Sequence, residues 1–201
     1  MRNVHNIIIK NKYIKNVRKR MEKKASIYKI ALIGVMTAIT CIIGPFSIPI
    51  SLVPISLTNL IILITVIILG WKMGTISCMI YLLIGYVGLP VFSGFSGGPH
   101  RLLGPTGGYL IGFVFLALIS GIFVDNFRGK IYMYIIGMIL GTVVLYVFGT
   151  VWFAYQQHMS IYAAVAICVF PYIPFDIAKI VCAVIIGPII RSQLFRAHIM
   201  I

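Results

Sequence analysis

Ile131-Tyr-Met-Tyr-Ile-Ile-Gly-Met-Ile-Leu-Gly-Thr-Val-Val-Leu-Tyr-Val-Phe-Gly-Thr-Val-Trp-Phe-Ala-Tyr155 contains no charged residue. As a helix rising about 1.5 Å per residue it is about 37 Å long, enough to cross a hydrocarbon core of about 30 Å. The rest of the chain has the same character. Of 201 residues 61% are hydrophobic and 10% charged, where a water-soluble domain carries roughly a quarter charged. The sequence therefore predicts an all-α, polytopic membrane protein whose spans and turns leave no room for a separate soluble domain.

Five more spans follow on working outward from this one. The polar turn Asp125 to Lys130 separates it from a span over Tyr109 to Val124, and Gln156 to Ser160 breaks the chain on the other side. Beyond that break Pro174 suits the first turn of a last span ending near Ile190. Towards the N-terminus, spans are expected over Gly74 to Leu89, Leu57 to Leu69 and Ile27 to Ile43. The first of all stops at Gly44-Pro45, because proline removes a backbone donor that lipid cannot replace. Six transmembrane helices thus occupy residues 27–196, between a basic tail at 1–26 and a short end at 197–201. In the tail, Ile7, Ile14, Val17 and Met21 can lay one apolar stripe on a membrane surface.

Charge sets the orientation. The net charge of +14 would suggest nucleic acid in a soluble chain, but ten of the 17 basic residues precede Ala31 without the aromatic-rich surface such a role needs. No nucleic-acid partner is expected. With both ends cytoplasmic, the tail, Lys72, Arg128, Lys130, Arg191 and Arg196 all fall inside, and the outer connections hold a single basic residue, Arg101. The basic start is too long for a signal peptide and no small-x-small site follows. Cys41, Cys78, Cys168 and Cys182 lie in apolar runs and read as small core residues.

Between spans three and four, Gly88 to Tyr109 contains seven glycines and three prolines in twenty-two residues. This composition favours turns and close backbone approach over a helix, and the loop falls on the extracellular side. The chain has only three carboxylates. Glu22 and Asp125 lie in charge-mixed cytoplasmic segments and are expected to be solvated or lipid-facing. Asp176 stands three residues before Lys179 on one face of a membrane helix, where an unpaired charge costs roughly 2.5–3.5 kcal/mol or more. Together with Arg101, and with His100 as a weaker addition, the pair offers an anionic, hydrogen-bonding solute one acceptor and two cations. Tyr86, Phe92 and Tyr109 are candidates for an aromatic wall. There is no nucleotide-binding Gly-rich loop, since Gly129-Lys130 is followed by Ile131, no dinucleotide fingerprint, and no paired histidines for a metal. No cofactor and no catalysis are expected of this chain. Small residues at packing spacing occur at Ala31, Gly34 and Ala38 and at Gly137 and Gly141, the former a candidate face for another membrane subunit.

Gly88-Leu-Pro-Val-Phe92, Gly97-Gly98 and Gly104-Pro-Thr-Gly-Gly-Tyr-Leu-Ile-Gly-Phe113 resemble the BioY family, the biotin-capturing S components of energy-coupling factor (ECF) transporters. The likeness extends to Val53-Pro-Ile-Ser-Leu57, to Tyr81-Leu-Leu-Ile-Gly85 and to Pro174-Phe-Asp-Ile-Ala-Lys179, which is similar to the family's Pro-Gly-Asp-x-x-Lys. Phe175 replaces the commoner glycine. The resemblance implies six membrane helices, biotin as ligand taken from outside, a membrane T component and two ABC-type ATPases as partners, and ATP used by those partners. It implies that Asp176 accepts from the ureido donors, and that Lys179 and Arg101 serve the ureido acceptor and the carboxylate in either order. The family's small-x-x-x-small first helix maps in part: Gly34 and Ala38 keep the spacing, and Val35 interrupts the step from Ala31.

The residues alone also admit a stand-alone secondary transporter or channel for a small anionic solute, with Asp176 as its one plausible proton carrier. Topology is directly testable. With the four native cysteines replaced, a cysteine placed between Gly97 and Gly108 should react with an impermeant thiol reagent on intact cells. Labelling at the Arg128 turn instead would invert the arrangement.

Overall fold

Glycine and proline end the first helix where expected. In the computed structural model, which describes residues 27–48 and 54–197, α1 (Ile27–Ile43) closes on Gly44, whose N–H reaches Thr40 O at 2.8 Å. The basic tail, Val53 of the first outer connection and residues 198–201 lie outside the described residues. After Gly44-Pro45 the chain makes a two-residue ladder, β1 (Ser47–Ile48) against β2 (Ile55–Ser56), antiparallel with Ser47 opposite Ser56. Then come α2 (Thr58–Tyr86), the short α3 (Pro99–Leu103) within the glycine-rich loop, α4 (Gly107–Asn126), α5 (Ile131–Gln156), the short α6 (Ile161–Cys168) and α7 (Ile173–Arg196). Among the described residues, α2, α4, α5 and α7 are long and apolar enough to cross a membrane.

The segment α2 is two arms. Gly70 has φ 80 and ψ −179, outside the helical region and open in practice to glycine alone, and the chain folds back there. A Cβ at Gly74 would lie 3.1 Å from Val66 Cα. At the far ends, Thr58 Oγ1 donates to Gly44 O at 3.3 Å while Tyr81 OH lies beside Gly44 as well. In a straight helix Thr58 and Tyr81 would be about 35 Å apart. The sequence places the break at this point but expects a short loop; a single residue makes the reversal.

Side chains from elsewhere satisfy the backbone groups released there. Trp71 N–H, which in an unbroken helix would pair with Ile67 O, donates to Asp125 Oδ2 at 2.9 Å, and Ile67 O accepts from Arg191 Nη1 at 2.9 Å. Asp125 Oδ1 also lies 3.5 Å from Arg128 and 3.9 Å from Arg191. Its side chain is 21% exposed and paired within the bundle, in place of the solvated or lipid-facing position expected of it. One carboxylate ties the α2 reversal, the end of α4 and α7.

The core forms around the first arm of α2, where every residue from Ile61 to Gly70 is buried. The second arm buries one stripe, Gly74, Ser77, Cys78, Tyr81 and Gly85, at helical spacing. The glycines noted in α5 turn inwards: Gly137 packs on Phe123, and Gly141 lies against Leu116 and Ser120 of α4. A second cluster of Phe153, Ala154, Ala164, Cys168, Tyr172 and Ile55 gathers around α6. The outward stripes of α5 and α7, such as Ile139, Val143, Val147, Ile177, Val181 and Ile185, are exposed and apolar, as lipid-facing surfaces are. The last helix runs to Arg196 with Pro188 inside it, past the end expected near Ile190.

Gly70→Ala imposes a backbone cost of about 1–3 kcal/mol and sets its Cβ 2.7 Å from Asp125 Oδ1. Its unfolding temperature in detergent should fall further than that of Gly88→Ala, where φ is 113 but nothing stands within 4 Å. Equal losses would mean that the Asp125 cradle contributes nothing.

Candidate functional site

A carboxylate held by three segments forms the floor of a cavity at the end of the bundle opposite Asp125. Asp176 lies in the first turn of α7, as the sequence predicts, with Pro174 beside it and the positive end of the helix dipole favouring its charge. Lys179 Nζ sits 3.0 Å from Asp176 Oδ1. The same oxygen accepts from Asn59 Nδ2 of α2 at 2.7 Å, and Oδ2 accepts from Tyr146 OH of α5. Asp176 and Lys179 are 7% and 9% exposed, so the pair is desolvated and depends on these contacts.

Above it is a cavity of about 130 Å³, lined on its polar side by Asn59, Arg101, Tyr109, Tyr146, Asp176 and Lys179. Phe92, Phe113 and Leu145 form apolar wall. Tyr109, in the first turns of α4, shares a 3.1 Å hydrogen bond with Thr150 Oγ1. Phe92 is buried, packs edge-on to Tyr81 at 5.6 Å, and fills the space a side chain at Gly85 would need. Tyr81 OH donates to Val91 O at 3.1 Å and Gly98 N–H to Gly85 O at 2.7 Å. The glycine-rich loop is thereby fastened to the end of α2 and folds over the cavity.

Five of the six residues singled out for ligand contact line this cavity: Asp176, Lys179, Arg101, Tyr109 and Phe92. Tyr86 does not. It is 48% exposed and absent from the lining, because the stripe that α2 buries runs through Tyr81 and Gly85. His100 is exposed and also outside the lining. Sequence reasoning missed Asn59 and Tyr146. Asn59 had a readable signal, a lone amide in an otherwise apolar membrane run; one of 11 tyrosines had none. Ala31, Gly34 and Ala38 lie together on the exposed face of α1, and a Cβ on Gly34 would meet nothing within 4 Å.

One aspartate and two cations leave the lining one positive charge in excess, and the carboxylate and amide groups add acceptors and donors beside apolar wall. A solute with an anionic group, N–H donors and an apolar body fits such a lining. These features define a polytopic helical membrane protein that binds a small solute.

The BioY family model matches residues 19–196, and the chain belongs to the BioY family. It is 36% identical over 159 residues to the probable biotin transporter BioY of Pyrococcus horikoshii, covering 79% of this chain and 93% of that relative. It is 33% identical over 154 residues to the biotin transporter BioY of Thermotoga maritima, covering 77% and 90%. The crystal structure of the S component for biotin from an ECF-type ABC transporter superposes with a TM-score of 0.77 at 31% identity, over 84% of this chain and 93% of that one. The family is one of transporters, and the chain shares the membrane S-component fold.

Proposed function

We propose that this chain is the substrate-capture subunit of an ECF-type biotin transporter. It binds biotin from outside the cell membrane for uptake driven by ATP on partner subunits. The observation that carries this reading is the buried Asp176–Lys179 pair under a cavity that Arg101 also lines. Biotin has a bicyclic apolar body, a ureido group with two N–H donors and one acceptor, and a carboxylate. Asp176 accepts from the ureido donors, the body lies against Phe92 and Tyr109, and Lys179 and Arg101 meet the ureido acceptor and the carboxylate.

In the membrane the chain makes six spans: α1, the two arms of α2, α4, α5 and α7. Both termini are cytoplasmic, and the loop carrying α3 is extracellular. In support, Trp71, Asp125, Arg128 and Arg191 gather at one end of the bundle and the cavity lies at the other. The arms of α2 are shorter than an ordinary span of about 20 residues, and at the cavity end they are continued by the β1–β2 ladder and the glycine-rich loop. The partners are a membrane T component and two ABC-type ATPases, gripping α1 at Ala31, Gly34 and Ala38.

Purified protein should bind biotin without ATP, and Asp176→Ala or Lys179→Ala should weaken binding by about 2 kcal/mol or more, since each leaves a buried polar partner unsatisfied. Isothermal titration of folded variants with unchanged affinity would reduce the pair to a structural role.

Energy coupling separates the subunit from a self-sufficient carrier. Gly34→Leu should abolish ATP-driven uptake in vesicles reconstituted with the partners and leave biotin affinity within a few fold. The free space at Gly34 accepts the new side chain without disturbing the chain's own packing. Concentrative uptake by the chain alone, collapsed by a protonophore, would instead identify a secondary transporter.

A further inference from the structure

The segment that carries Arg101 cannot hold itself in place. At five residues, α3 (Pro99–Leu103) is far too short to be stable as an isolated helix, and its last carbonyls have no intrahelical partner. Its start is tied to α2 through Gly98 N–H and Gly85 O. Its end is tied to α5. Trp152 Nε1 donates to Gly104 O at 2.9 Å, an oxygen that also accepts from Gly107 N–H at 3.0 Å, and Gln156 Nε2 donates to Leu103 O at 2.8 Å. Trp152 and Gln156 are four residues apart and so share one face of α5. The indole also packs on Gly108 at the start of α4, which fixes its direction.

We infer that Trp152 and Gln156 are positioning residues for Arg101: they cap α3 from the last turns of α5 and so aim the guanidinium into the cavity. The inference rests on the proposed function for its consequence, ligand affinity, though not for the clamp itself. Arg101 is exposed and its side chain has no hydrogen-bond or ion-pair partner among the described residues, so the part of its placement that the fold controls is where the α3 backbone starts the side chain at the rim of the cavity. Neither Trp152 nor Gln156 lines the cavity. Their effect on a ligand must therefore pass through α3 and Arg101.

Two measurements test this. Trp152→Phe keeps an aromatic ring at the position and removes the donor, and Gln156→Leu removes the other. Hydrogen exchange of the ligand-free protein should show the α3 amides of Arg101 and Leu102 exchanging at least about tenfold faster in the double variant, as expected when two capping bonds of about 0.7 kcal/mol each are lost, with the amides of α2 and of α4 beyond its first turn unchanged. Unchanged α3 exchange would overturn the clamp whatever the protein binds. In titrations with biotin, the double variant should lose about tenfold in affinity while Arg101 is present and less than twofold in an Arg101→Ala background. An equal loss in both backgrounds, or none in either, would show that the clamp does not act through Arg101. If Trp152→Phe does not fold, Gln156→Leu alone is carried through both measurements with about a threefold expectation. A wild-type protein that binds no biotin but shows the exchange difference would sink the proposed function and leave the clamp standing.

Discussion

A carboxylate buried in a membrane protein must be surrounded by donors, and Asp176 dictates where three segments meet. Left unpaired, such a charge would cost several kcal/mol. Here Asn59 of the first α2 arm, Tyr146 of α5 and Lys179 of its own helix converge on it. Each partner is fixed in turn by the element that bears it. The arm is buried all round, α5 packs on α4 through Gly137 and Gly141, and Lys179 lies three residues along the same face. The cavity lies over the point where these three segments converge.

Asp125 makes the matching constraint at the opposite end, with different chemistry. It accepts a backbone N–H from Trp71 and faces two arginines, one of which closes the free carbonyl of Ile67. The helix α7 joins the two ends, because Asp176 and Arg191 are fifteen residues apart on it, about 22 Å along a helix. The chain has only three acidic residues. The two that fall among the described residues are the points at which distant segments are tied together.

Hydropathy located the helices well where their ends are marked by local chemistry. Ile27–Ile43 ends at Gly44-Pro45 as read, and α4 and α5 extend by no more than two residues beyond the expected limits. The single-residue reversal at Gly70 was not legible, since what makes it possible is Asp125, 55 positions away, and Arg191, farther still. The length of α7 was hidden for a related reason. The apolar run stops at Ile190, where the charged residues begin, yet the helix continues to Arg196 with Arg191 turned back onto Ile67 O. The site divides in the same way. Asp176, Lys179 and Arg101 are scarce charges in an apolar chain and stand out, whereas Asn59 and Tyr146 acquire their roles only from the carboxylate they face, and Tyr86 fails because the buried stripe of α2 turns one residue short of it.

The two ends also differ in what holds them closed. Around Asp125 the ties run between long helices and include main-chain groups, so opening them breaks the bundle. Around the cavity the cover consists of short pieces: a two-residue ladder, a loop pinned through Phe92 and Gly98 to α2, a five-residue helix tied to α5 by Trp152 and Gln156, and the edge-on contact of Phe46 with Phe95 at 5.4 Å, both residues more than half exposed. Segments with few buried contacts open at the lowest free energy. Opening the covering loops therefore costs less than separating the helices at Asp176, and under the proposed function the polar floor stays assembled while the cover admits the solute. Under the same reading, a floor already organised around Asp176 spares the binding step the ordering of Asn59, Tyr146 and Lys179, a saving of the kind that raises affinity.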